Sequence, residues 1–120
     1  MRYDRASMIP TDDALDMQQL LAAFGEIDDD VREMMQLFVE TTGPILDELE
    51  AHAAVRDRTA VEDAAHSAKG AARSAGARAL AAACEALETA AKAGDWTEVE
   101  LRLAQVKPAF ETAKRVIARL

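Results

Sequence analysis

The sequence predicts an all-α protein: an antiparallel four-helix bundle with a short additional N-terminal helix. Three observations carry this expectation. Ala occurs 27 times among 120 residues, Pro only three times, and Val and Ile are sparse, a composition that favours helix over sheet. Apolar residues recur at steps of three and four over long windows, with no strand-like alternation. The breaks between those windows are short, so successive helices become antiparallel neighbours.

Residues 1–11 are polar and irregular and are expected to form a flexible arm, leaving 12–120 as one helical domain. Thr11 or Asp12 caps a first helix to about Phe24, with Met17, Leu20, Leu21 and Phe24 on one side and Gly25 as its stop. Asp28-Asp29-Asp30 then places negative charge at the positive end of a second helix. That helix carries Val31, Met34, Met35, Phe38, Thr42, Ile45, Leu46, Leu49 and Ala53 in one stripe to about Val55. Pro44 removes a backbone donor inside it, but the stripe keeps its phase, which predicts one kinked helix. Asp57 or Thr59 caps a third helix to about Ala75, closed by Gly76. The fourth runs from about Arg78 to Ala93, with Leu80, Ala83, Cys84, Leu87 and Ala91 in its stripe, and Gly94-Asp95 is a stop followed by a cap. The fifth runs from about Thr97 to the C-terminus on Val99, Leu103, Val106, Phe110, Ala113, Ile117 and Leu120, bent at Pro108.

Charge and composition narrow the function. The net charge of −8 argues against non-specific nucleic-acid binding and against an electrostatic anchor on anionic lipid. Half the residues are hydrophobic, too many for disorder, yet no apolar run approaches a membrane span. The start MRYDRASMIPTDD lacks the apolar centre of a signal peptide, so a cytoplasmic domain is expected. One Cys excludes an intramolecular disulfide and a Cys-rich zinc site. Nothing suggests an obligate dimer, and a monomer is expected.

One histidine stands off the apolar stripe. On the third helix Val61, Ala64, Ala65, Ala68, Ala72 and Ala75 align, whereas His66 lies roughly 140° from Val61. Lys69 and Arg73 share the His66 side, and Gly70 follows one turn later. The plain reading is a solvated face that carries a histidine. Gly70 counts against it, because Gly inside a helix costs about 1 kcal/mol relative to Ala in a chain that uses Ala freely. A missing side chain there leaves room for an approaching partner. A neutral imidazole is a nucleophile near pH 7, and a phosphoryl group arriving on it needs cations nearby.

His66-Ser-Ala-Lys69-Gly70, with Gly76 six residues after Gly70, resembles the signature of histidine phosphotransfer (HPt) domains. Phe24-Gly25 before the acidic helix start, Phe38, the Gly43-Pro44 pair and Leu80-Ala-Ala-Ala-Cys84-Glu-Ala-Leu87-Glu88 also resemble that family, in order along the chain. The departures are Ala68 and Ala75, where the family usually has Leu; both fall in the buried stripe and imply closely spaced third and fourth helices. The resemblance implies that His66 takes a phosphoryl group on Nε2 from the aspartate of one receiver domain and passes it to another. It implies that Lys69 holds phosphoryl oxygens and that Glu88, twenty-two residues after His66, accepts a hydrogen bond from Nδ1. Gly70, Arg73 and Gly76 are expected on the partner-binding side. The partners implied are receiver domains of response regulators and hybrid histidine kinases, which bring Mg²⁺ and an acidic pocket, so no cofactor is expected in this chain.

Other chemistry fits less well. Asp63-Ala-Ala-His66 has a spacing a metal could use, but His52 sits in the wrong pattern for a di-iron bundle, and no metal is expected. His52 reads as a surface residue, Cys84 as a small hydrophobe and Met34-Met35 as core. The glycines are scattered and form no phosphate loop, so the chain is expected to be a phosphorelay intermediate, not an enzyme with a kinase site of its own. Two alternatives remain at this level: the N-terminal phosphoacceptor domain of a chemotaxis-type histidine kinase, and a helical adaptor that binds receivers without carrying phosphate. The initial Met and the full final helix favour a stand-alone protein.

Overall fold

A computed structural model describes residues 2–120. Six helices follow one another: α1 Thr11–Ala14, α2 Met17–Phe24, α3 Asp29–Ala54, α4 Arg58–Ala75, α5 Arg78–Ala93 and α6 Trp96–Ile117. Aspartates start most of them. The carboxylates of Asp16, Asp28, Asp57 and Asp95 accept from the backbone N–H of Gln19, Val31, Ala60 and Glu98 at 3.0–3.2 Å, satisfying donors that a helix start leaves free. Asp57, not Thr59, is therefore the cap of α4.

The four long helices form the bundle. α3–α4, α4–α5 and α5–α6 pack as chain neighbours, and α3 against α6 closes the ring. Cross-links between α3 and α6 run antiparallel: Arg32 reaches the Leu120 carbonyl at 2.6 Å, and Lys107 bridges Asp47 at 3.4 Å and Glu50 at 3.1 Å. α3 continues unbroken through Pro44, as the continuous stripe predicts. It ends without glycine, because Arg56 takes the left-handed conformation itself at φ 53°. The core is one cluster in which α4 contributes only small side chains after Val61: Ala65, Ala68, Ala72 and Ala75. These let α5 approach closely, and Leu80, Cys84, Leu87 and Ala91 of α5 are buried in the same cluster.

One expectation about the N-terminal region needs correction. The single helix expected to about Phe24 is two helices, because Leu15 leaves helical geometry (φ −151°, ψ 118°) to become fully buried. Asp16 then donates its N–H to the Gly76 carbonyl at 2.8 Å and caps α2. The segment expected as a flexible arm makes specific contacts with α6. Arg115 grips the buried Asp4 carboxylate through Nε at 3.0 Å and Nη2 at 2.8 Å, and the Thr112 hydroxyl lies 2.7 Å from that of Ser7.

Candidate functional site

The close seam between α4 and α5 brings His66 opposite Glu88. His66 Nδ1 lies 2.9 Å from Glu88 Oε2, and Lys69 Nζ lies 2.6 Å from Glu88 Oε1. An ionised carboxylate only accepts, so Nδ1 carries the proton of the neutral ring and Nε2 keeps its lone pair. The burial of the three side chains differs: His66 is 70% exposed, Lys69 14% and Glu88 11%. The nucleophilic edge is therefore open to a partner, whereas the groups behind it are largely screened from water. The Lys69 ammonium, and next the imidazole, hold the Glu88 carboxyl below the usual carboxylate range, against burial, which acts in the opposite direction.

The other expected site residues divide. Gly70 is open: a Cβ built on it meets nothing within 4 Å. Arg73 is exposed on the same face and pairs with Glu85 at 3.4 Å. Gly76, expected on the partner-binding side, does not share that exposed face. It is buried at φ 78° as the stop of α4, and a Cβ there would lie 3.4 Å from the Asp16 carbonyl oxygen, so its role is to turn the chain beneath the α1–α2 junction. Lys69 is on the His66 side as expected, but its ammonium is committed to Glu88.

A feature the helical stripes did not single out lies beside this face. Between α3 and α4 runs a groove of about 290 Å³ lined by Met34, Met35, Leu37, Phe38, Thr41, Ala71, Ser74 and Ala75. Met34, expected in the core, is exposed along with Leu37, and so are Leu21 and Phe24 of α2, expected on one side with Leu20, which is buried. Leu37 carries the signal that could have revealed this, since it falls off the α3 stripe. Cys84 is enclosed, and burial pushes its thiol up to about 12, which fits the expected hydrophobe. Among the described residues no group of three His, Cys, Asp or Glu is placed to hold a metal, and no helix is long and apolar enough to cross a membrane.

Comparison with known families agrees with the geometry. The model of the Hpt domain matches residues 33–115, more than half of the chain and inclusive of His66, Lys69 and Glu88. Neither characterised proteins nor solved structures gave a match. The chain belongs to the Hpt domain family, the histidine phosphotransfer carriers of two-component phosphorelays.

Proposed function

We propose that this protein relays a phosphoryl group between the aspartates of receiver domains, with His66 as the acceptor and donor. The observation that carries the proposal is the geometry at His66: an exposed ring whose Nδ1 is engaged by a screened carboxylate, leaving Nε2 free. The step is a displacement at phosphorus. The Nε2 lone pair forms an N–P bond as the P–O bond to the receiver's aspartate breaks, and that aspartate leaves as a carboxylate. The ring gains positive charge while Nδ1–H still points at Glu88, so a fixed negative group faces the charge as it develops. The reverse step delivers the group to a second receiver. Mg²⁺ and the acidic pocket belong to the receivers, and this chain contributes the imidazole and the surface around it.

Gly70 supplies the opening for a receiver, and the apolar groove with Met34 and Leu37 supplies contact area beside it; the exposed Arg73–Glu85 pair adds charge between α4 and α5. The proposed working form is a cytoplasmic monomer that docks one receiver at a time on this face. The test is incubation with a phosphorylated receiver and Mg²⁺. The expected product is acid-labile and base-stable, located on His66, and absent from His66→Gln, whose helical circular dichroism stays that of the parent. Transfer to His66→Gln at the parent rate would remove His66 from the role. Tight receiver binding without transfer to the parent protein would favour an adaptor.

A further inference from the structure

Met34 is the exposed sulfur of the groove between α3 and α4. It is 43% exposed, whereas Met35, the next residue along α3 and also in the groove lining, is 1% exposed. Cys84 is fully enclosed, and burial pushes its thiol up to about 12, so it offers a peroxide no thiolate. Met8 is exposed as well, at 69%, but it lies away from the groove, beside Arg78, Ala79 and Ala82 of α5. We propose that Met34 is a redox-sensitive docking contact, whose reversible oxidation to the sulfoxide closes the groove to a receiver and leaves the chemistry at His66 intact. The proposal rests on the phosphorelay reading and adds to it a modification that regulates the docking face.

The oxidant is a peroxide. The thioether sulfur attacks one peroxide oxygen, an S–O bond forms as the O–O bond breaks, sulfur gives up two electrons, and the peroxide leaves reduced as water or an alcohol. The product keeps the length of the side chain but replaces a soft apolar sulfur with a polar S=O group. The surroundings of Met34 suit the apolar form. In the lining of the groove only Thr41 and Ser74 carry hydroxyls, and Thr41 Oγ1 already donates to the carbonyls of Leu37 and Phe38 at 2.9 and 3.3 Å. In the free protein the exposed sulfoxide oxygen keeps its water. A docked receiver strips that water away, and this chain returns at most the Ser74 hydroxyl. The penalty therefore falls on the complex and not on the free fold. The groove adjoins the site along α4, because Ala71, which lines it, directly follows Gly70. The His66 ring is held from the other side, by Glu88 of α5, so a change at Met34 leaves its hydrogen bond in place.

The experiment treats the full chain with hydrogen peroxide, removes the peroxide, and supplies a phosphorylated receiver domain that phosphorylates the untreated parent. Peptide mass spectrometry reports the sulfoxide at each methionine. Transfer is measured below saturation with receiver. Phosphoramidate, whose phosphoryl group moves to Nε2 as ammonia leaves, tests the ring without docking. For the parent the expected result is sulfoxide at Met34 and Met8 but not at Met35, transfer from the receiver slowed by about tenfold, and an unchanged rate from phosphoramidate. Methionine sulfoxide reductase with a dithiol restores the receiver rate. Met34→Leu, compared with its own untreated sample, does not respond to peroxide, and Met8→Leu responds as the parent does. The proposal is overturned if peroxide that converts Met8 leaves Met34 unmodified, or if Met34 sulfoxide forms and transfer from the receiver is unchanged. It is also overturned if treatment slows Met34→Leu as much as the parent, or slows both donors equally, which would place the damage at the ring. Failure of the acceptor reading is a separate result, seen before any peroxide is added as phosphorylation of His66→Gln at the parent rate; the treated and untreated parent then still decide what Met34 does to docking.

Discussion

Thr42 presents its hydroxyl to the core at 1% exposure with no hydrogen-bond partner among the described residues. A buried unpaired hydroxyl carries a desolvation penalty of about 1–3 kcal/mol. Thr42→Val keeps the shape and removes the penalty, so it should stabilise the fold by roughly 1 kcal/mol, read as a higher urea midpoint with unchanged slope. A lower midpoint would mean that the hydroxyl has a partner in solution. Gly70 is the complementary case, a residue whose absent side chain serves the surface and not the core. Gly70→Gln meets no steric obstacle within the protein. Gln is also the better helix former, by up to about 1 kcal/mol. The variant should melt higher and accept phosphate from a receiver at least about tenfold more slowly, a loss of roughly 1.4 kcal/mol at the docking step, while phosphoramidate still phosphorylates it. Equal loss with both donors would place the fault in the site and not in docking.

At the scale of the helices, the α4–α5 pair determines whether the site exists. Ala68 is 0% exposed in the seam, where the family resemblance leads one to expect Leu. The small residue is matched to its surroundings, so Ala68→Leu should overpack the seam and cost about 1–3 kcal/mol. By pushing α5 outward it should also lengthen the contact from His66 to Glu88. Urea unfolding checks the first effect and the NMR signals of the His66 ring nitrogens check the second; a variant as stable as the parent would show slack in the seam. This pair was legible in the sequence because its periodicity, the Gly76 stop and the His66 offset all follow from local chain geometry. Glu88 was reached through the family resemblance, by its place twenty-two residues after His66, and not from periodicity alone. The break at Leu15-Asp16 was not, since it depends on a carbonyl of Gly76 sixty residues away. The end of α3 was equally hidden, because Arg56 takes a conformation usually left to glycine. Met34 was misplaced for a related reason. Hydrophobic character indicates what can be buried, and it does not distinguish a core position from an exposed apolar surface beside a docking face.

Across the whole molecule, the N-terminal segment and the final helix are joined by a charged clasp, Asp4 to Arg115, whose dependence on pH follows from its geometry. The Arg115 guanidinium, with help from the N–H groups of Ser7 and Ala6, holds the Asp4 carboxyl well below the usual carboxylate range, against the opposing effect of burial. In the unfolded chain Asp4 should titrate near its ordinary value of about 3.9. A carboxyl whose folded titration is depressed stabilises the fold fully above the unfolded value, and that contribution is lost progressively as pH falls toward the folded one. Glu88, depressed by Lys69 and His66, adds to the same trend. The protein should therefore lose stability on acidification from about pH 4 downward, and Asp4→Asn, which has no carboxyl to titrate, should respond less steeply. At pH 7 the variant is expected to unfold at lower urea than the parent. The gap between the two should hold steady through pH 5 and narrow as pH falls below about 4. The measurement is a pair of urea midpoints at each pH, for parent and variant. A gap that stays constant down to pH 3 would show that Asp4 titrates alike in the folded and unfolded chains, and a gap of zero at pH 7 would show that the clasp to Arg115 adds nothing to the stability of the bundle.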